Sequence, residues 1–221
     1  KPVVAFLGDF TAPVKVNFAQ NDQELMHIMQ YADNAFCRWD AGQTLLARYI
    51  KTLVKQPDFA LPETLVECFK QVLSADIDPA LKAEQLSLPT FNELADAIVE
   101  VDPVHLVDAI DKVKLFLAER LQAEFAQLYQ QNNTAQYQYQ KAQIGQRALK
   151  NVCLSYLGAL KDFNQLADMQ YQQSDNMTDT LAALACAAQN NLPCFTEQLT
   201  DFEQKWQETS LVMDKWFSIN T

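Results

Sequence analysis

From Met177 to Ala188 the chain reads Met-Thr-Asp-Thr-Leu-Ala-Ala-Leu-Ala-Cys-Ala-Ala, apolar on almost every side of a helix. Such a helix holds in water only where neighbouring elements cover each face, so it must be a middle layer of a helical stack. Asn176, just before it, can accept a hydrogen bond from a first-turn amide, and Asp179 sets negative charge against the positive helix end. A connecting helix and then the amphipathic segment Leu211–Phe217 follow. The 221 residues include only four glycines and eight prolines, so tight turns are few and long helices with short connections are the natural arrangement.

The helical period governs everything from Asn21 onward. Asn21 with Glu24 makes a capping-box start, with Leu25, Ile28 and Met29 as the inward stripe. A second helix is predicted from about Phe36 to Lys55, turning Trp39, Leu45, Leu46, Tyr49, Ile50 and Leu53 inward until Pro57 ends it. Pro62 suits the first turn of a third helix carrying Leu65, Val66, Phe69, Val72 and Leu73. Asp78-Pro79 and Asp102-Pro103 each read as an N-cap followed by proline at the first position. The second pair launches what reads as the longest helix, running through Leu106, Ile110, Val113, Leu117, Leu121, Phe125 and Leu128. Gln127–Gln140 is rich in Gln and Asn, with the loop at Gln130–Thr134. Further helices are predicted at Tyr137–Leu157, Asp162–Tyr171, Thr178–Gln189, Cys194–Glu208 and Leu211–Ile219. Helix pairs then begin near residues 22, 62, 91, 137, 176 and 210, close to the ~40–47 residues of a two-helix solenoid repeat. The expected fold is mainly α, an irregular α-solenoid of antiparallel helix pairs like armadillo or HEAT repeats; a single compact bundle is the alternative.

The first eighteen residues differ. Val3, Val4, Phe6 and Leu7 form an apolar run, Gly8-Asp9 offers a turn, and Val14, Val16 and Phe18 alternate with Lys15 and Asn17. That period of two predicts a short N-terminal β-hairpin. A lone hairpin is marginal in water, so it needs the helices, another chain or a further domain to lean on.

Composition narrows the partners. The formal charge of −11 argues against nucleic acid, which is bound through clustered Lys and Arg. An acidic surface serves solubility, with attraction of cationic peptides as the sharper reading. No apolar run approaches the ~20 residues that span a bilayer, so no membrane partner is expected. Cys37, Cys68, Cys153, Cys186 and Cys194 are odd in number, form no CxxC pair and sit among apolar helix neighbours, which suits a reducing, cytoplasmic setting. In such a setting the triplets Asn132-Asn133-Thr134 and Asn176-Met177-Thr178 carry no glycosylation.

Reactive constellations are scarce. His27 and His105, the two histidines, fall on separate predicted helices and lack the His-Glu-x-x-His spacing that puts two imidazoles one turn apart for zinc. His27 lies near an inward stripe and reads as half-buried; His105, in a first turn beside Asp102, reads as solvated. No glycine pair has phosphate-loop spacing, and Ser74, Ser87, Ser155 and Ser174 have no evident histidine partner. Cys153, flanked by Arg147 and Lys150, is the best nucleophile candidate, against a plainer role in the core. Asp108 with Asp111, and Glu197 with Asp201, pair at helical spacing and mark a solvated face, while Trp39, Trp206 and Trp216 read as core anchors. No catalytic and no metal-binding residue is therefore assigned, and substrate-binding residues stay unassigned.

Six segments carry a resemblance that composition does not. Ala12-Pro13-Val14-Lys15-Val16, Phe36-Cys37-Arg38-Trp39-Asp40-Ala41-Gly42-Gln43, Ile77-Asp78-Pro79-Ala80-Leu81, Leu86-Ser87-Leu88-Pro89, Asn176–Ala185 and Leu211–Phe217 resemble, in order, bacterial aminopeptidase N, a gluzincin-type zinc metallopeptidase family. The resemblance implies remnant strands of a β-sandwich domain over residues 1–20. Residues 21–221 would be the first part of the C-terminal helical domain, incomplete at its C-terminal end. In that family His-Glu-x-x-His and a downstream Glu hold zinc, and a Gly-Ala-Met-Glu-Asn type segment binds the substrate's amine. None of these is in this chain, so the resemblance places zinc in the parent enzyme and no cofactor here. It implies a non-catalytic part that caps the catalytic domain of the same polypeptide and restricts peptide access, inactive on its own. The contrasting reading is a free-standing helical repeat scaffold for protein–protein interaction, with function on its concave face. In either case self-association is expected through residues 1–18 or the apolar face near Trp216.

Overall fold

A computed structural model of the chain describes residues 2–8, 14, 16–98, 100, 102–134 and 136–220. Among the described residues are twelve α-helices and no strand, in two compact units, Lys1–Leu121 and Gln122–Thr221. No helix among them is long and apolar enough to cross a membrane.

The first unit holds α1 (Asp22–Tyr31), α2 (Ala35–Lys55), α3 (Glu63–Ser74), α4 (Pro79–Leu86), α5 (Phe91–Asp96) and α6 (Pro103–Arg120). Side-chain caps set most of the starts. Asn21 and Glu24 close the expected capping box, and Thr90 with Glu93 closes a second. Asn34 accepts from the amides of Phe36 and Cys37, Asp78 from Ala80, and Asp102 from Val104 and His105. The central element is α2. Its Cys37, Ala41, Gly42, Leu45, Leu46, Tyr49, Ile50 and Leu53 are buried, and it packs against α1, α4 and α6. Leu45, Leu46 and Ile50 are fully buried, each contributing about 1.5–3 kcal/mol by leaving water.

The second unit holds α7 (Gln122–Gln131), α8 (Lys141–Leu157), α9 (Leu166–Gln173), α10 (Met177–Gln189), α11 (Phe195–Trp206) and α12 (Ser210–Asn220). As its composition requires, α10 is a middle element, packed against α8, α9, α11 and α12. Asn176 caps it by accepting from the Asp179 amide at 3.0 Å. Phe125 of α7 stacks on the fully buried Tyr156 of α8, ring centroids 4.3 Å apart. By contrast, α12 buries no residue; Leu211 is 79% exposed and Phe217 57%.

Five expectations are corrected. The helix that the apolar period carries through Leu128 breaks at Leu121, whose backbone leaves the helical region (φ −121°, ψ 21°) while its side chain is buried. No Gly or Pro marks that break; burial decides it over propensity. The longest described helix is instead α2, at 21 residues. Tyr137–Gln140 is not helical, because the Tyr137 amide donates to Asp175 and the Gln138 amide to Gln143. Asp162–Tyr171 divides into a 3-10 turn at Lys161–Phe163 and α9, and Pro62 stands at the N-cap of α3 rather than inside its first turn.

The β-hairpin is the fifth. Asp9, Lys15 and residues 10–13 lie outside the described residues, and the described flanks form no strand. Phe6 packs on Phe18 with centroids 5.0 Å apart, Gln20 Nε2 donates to the Val4 carbonyl, and Cys37 Sγ donates to the Phe6 carbonyl. Leu7 turns into the left-handed region, φ 56°, which interrupts the extended run. Among the described residues the segment meets α2 through the Cys37 side chain.

One close approach sets how α8 meets α10. A Cβ on Gly158 would lie 2.2 Å from Cys186 Sγ. Gly158→Ala is therefore expected to cost about 1–3 kcal/mol in urea unfolding. The double variant with Cys186→Ala should recover most of that loss, whereas an unchanged midpoint for the single variant would refute the contact.

Candidate functional site

The residues that the sequence marks for chemistry do not converge. His27 is exposed, not half-buried; Leu25, Ile28 and Met29 take the inward face of α1, and the imidazole lies tilted at 45° against the Tyr31 ring, centroids 4.9 Å apart. His105 is exposed as expected, with Nδ1 3.4 Å from Asp102 Oδ2. Ser74, Ser87, Ser155 and Ser174 each donate to a carbonyl three or four residues back in their own helix. Cys153 is fully buried, and its flanking cations are engaged elsewhere: Arg147 lies over the Tyr137 ring and Lys150 meets Asp179. Asp108, Asp111 and Glu197 are exposed. The tryptophans are half-buried rather than core anchors: Trp39 lies against Phe36, Trp206 against Phe202, and Trp216 donates to the Leu199 carbonyl. Among the described residues no group of three or more His, Cys, Asp or Glu could hold a metal ion. Zinc therefore does not fit this set of donors.

What the structure does bring together is a polar cluster inside the second unit. Lys150 Nζ of α8 donates to Asp179 Oδ2 of α10 at 2.6 Å, and both side chains are nearly fully buried. Asn151 donates to Asp179 Oδ1 at 2.9 Å, and Asn176 donates to Oδ2 at 3.0 Å. Gln170 of α9 donates to Asn151 Oδ1 and to the Asp179 carbonyl, and accepts from the Tyr129 hydroxyl of α7. Burial, with the Asp179 charge adding to it, pushes the Tyr129 hydroxyl up to about 12. Both carboxylate oxygens of Asp179 are thus satisfied, as a buried charge requires. Asp179 is the only charged residue between Met177 and Ala188, and that isolation was the available sequence signal for the cluster.

Beside this cluster opens a cleft of about 380 Å³, lined among others by Tyr171, Asp175, Asn176, Thr180, Lys205 and Trp206. The Tyr171 hydroxyl lies 2.8 Å from Asp201 Oδ2 and 3.0 Å from the Gln198 carbonyl, and Lys205 Nζ donates to the same Asp201 oxygen. Partial burial raises the Asp201 carboxyl, but hydrogen bonds from Lys205 and Tyr171 outweigh it and hold it below the usual carboxylate range. Asp175 is held low by the Tyr137 amide and then by Asn176. Burial pushes the Tyr171 hydroxyl upward. The lining offers hydrogen-bonding groups, the Asp175 carboxylate, the Lys205 ammonium and the Trp206 indole.

Comparison with known proteins agrees with this architecture. A family described as "Domain of unknown function (DUF3458_C) ARM repeats" matches residues 22–221. Aminopeptidase N of Escherichia coli (strain K12) is 39% identical over 225 residues, covering 98% of this chain and 26% of that protein. Aminopeptidase N of Haemophilus influenzae (strain Rd) is 37% identical over 224 residues, covering 99% and 26%. A solved structure, Legionella pneumophila aminopeptidase A in complex with aspartic acid, superposes with a TM-score of 0.87 at 26% identity, over 99% of this chain and 27% of that one. The chain thus spans about a quarter of the length of the relatives it matches. An α-solenoid-like helical fold fits the repeat family.

The buried pair yields a double-mutant test. Asp179→Ala leaves the buried Lys150 charged with only Asn133 Oδ1 at 3.4 Å to accept from it, and is expected to cost about 3–5 kcal/mol in urea unfolding. Lys150→Met with Asp179→Leu should cost less than the sum of the single variants Lys150→Met and Asp179→Leu; a purely additive pair would refute the coupling. The carboxyls of Asp175 and Asp201, held low in the fold, contribute stability that is complete above about pH 4 and is lost as pH falls through their folded values. The thermal midpoint should therefore drop below about pH 4, and Asp175→Asn should flatten that drop.

Proposed function

The chain belongs to the DUF3458_C family of ARM-repeat domains, and from that membership we propose that it is the helical part of a bacterial zinc aminopeptidase of the aminopeptidase N kind. Residues 21–221 form the helical domain in this reading, and residues 1–20 are the remnant of a preceding β-sandwich domain. The domain performs no chemistry. It caps the catalytic domain of the same polypeptide, encloses the reaction space and admits peptides while excluding folded proteins. The parent enzyme carries the zinc, works in the cytoplasm and removes N-terminal amino acids from peptides.

The observation that carries this reading is the collinear match: almost the whole chain aligns to a stretch that is only 26% of each aminopeptidase N relative. Two structural features support it. The buried Lys150, Gln170 and Asp179 of the second unit are bonded into one cluster, which suits a rigid support, and the four buried cysteines are free thiols, which suits a reducing compartment. Apolar side chains left open on α12 and near the N-terminus supply contact surface for further protein and for self-association.

The isolated chain is expected to contain no stoichiometric zinc by elemental analysis and to release no product from aminoacyl-p-nitroanilides. A turnover abolished by a chelator would overturn the assignment of chemistry to another part of the polypeptide. Sequencing the gene upstream of Lys1 separates this reading from the scaffold. A His-Glu-x-x-His followed by a downstream Glu supports the peptidase, and an immediate start codon supports the scaffold.

A further inference from the structure

The residues that bury α2 occupy one side of it, and a second stripe runs along the other. Thr44, Ala47, Arg48, Lys51, Thr52 and Lys55 recur every three or four positions and, with Gln56, line a surface groove of about 540 Å³. The charge of this groove is opposite to that of the chain. Overall 28 acidic residues face 17 basic ones, yet three of the seven lining residues are cationic and none is acidic. Arg48 is held down: it forms an ion pair with Asp22 and donates to the Gln20 carbonyl. Among the described residues Lys51 and Lys55 form no ion pair. Lys55 sits in the last turn, where the helix dipole favours a cation, but Lys51 lies a full turn earlier and gains little from it.

We propose that this groove docks an acidic helical segment of a protein partner, with carboxylates one turn apart meeting Lys51 and Lys55. Side chains four positions apart on a helix stand about 5–6 Å from one another, so two partner carboxylates at that spacing match the two ammonium groups in register. Thr44, Ala47 and Thr52 are small, which lets a second helix approach to the ordinary interaxial distance of about 8–10 Å. A nucleic acid is the poorer occupant. Two free cations neutralise few phosphates, and the net charge of −11 repels the rest of a polyanion. The proposal does not depend on where the peptidase chemistry resides.

Fluorescence anisotropy with a labelled helical peptide carrying glutamates at i and i+4, and with its glutamine counterpart, tests it. The glutamate peptide is expected to bind about tenfold tighter than the glutamine peptide and to weaken as salt rises. Lys51→Gln with Lys55→Gln should abolish that preference, and Lys51→Glu with Lys55→Glu should reverse it, each with an unchanged circular dichroism melt. Lys141→Glu with Lys161→Glu, exposed lysines elsewhere, should leave binding as it was. Equal binding of both peptides, no effect of the Lys51 and Lys55 substitutions, or equally tight binding of a single-stranded oligonucleotide would overturn the proposal.

Discussion

The contact between Lys150 and Asp179 is the constraint on which the second unit depends. Two opposite charges 2.6 Å apart with almost no exposure are tolerable only while every remaining donor and acceptor around them is filled. Filling them takes Asn151 from α8, Gln170 from α9, Tyr129 from α7 and the Asn176 cap of α10. Ala and Leu side chains alone would let helices slide by a fraction of a turn at modest cost. A hydrogen-bonded charge does not, because a slip strands it without a partner. The same exactness of approach recurs where Gly158 yields its side-chain space to Cys186.

The first unit reaches its order by other means. Local caps at Asn21, Asn34, Asp78, Thr90 and Asp102 start the helices, and the fully apolar inner face of α2 gathers them. Polar burial is slight there; Lys82, the notable case, ends on the Leu73 carbonyl. One unit is thus organised chiefly by caps and a central apolar helix, the other by a buried polar cluster. Among the described residues neither arrangement brings together three or more His, Cys, Asp or Glu that could hold a metal ion.

Much of the helix pattern was legible because its signals are local. Asp78-Pro79 and Asp102-Pro103 start helices where their chemistry says they should, and the start of α10 falls within one residue of its sequence reading. The break at Leu121 was not legible, since the apolar period runs through it unchanged. The extended Tyr137–Gln140 segment was missed for a related reason: its amides are satisfied by Asp175 and Gln143, one of them 38 residues distant. His27 was placed by proximity to apolar neighbours, and a turn of about 100° per residue carries it to the exposed side of α1.

By itself the sequence determined that this is a helical protein and that α10 is covered by neighbours on several sides. Helix period, caps and motif spacing are properties of neighbouring residues, so they can be read without coordinates. The tertiary structure alone decided that Asp179 serves Lys150 as well as its own helix end, that the long C-terminal helix of the first unit stops at Arg120, and that cations gather on the outer stripe of α2. Each of these joins or separates residues through packing. Which partner a buried charge finds, and which face stays open, follows from the arrangement of helices in space.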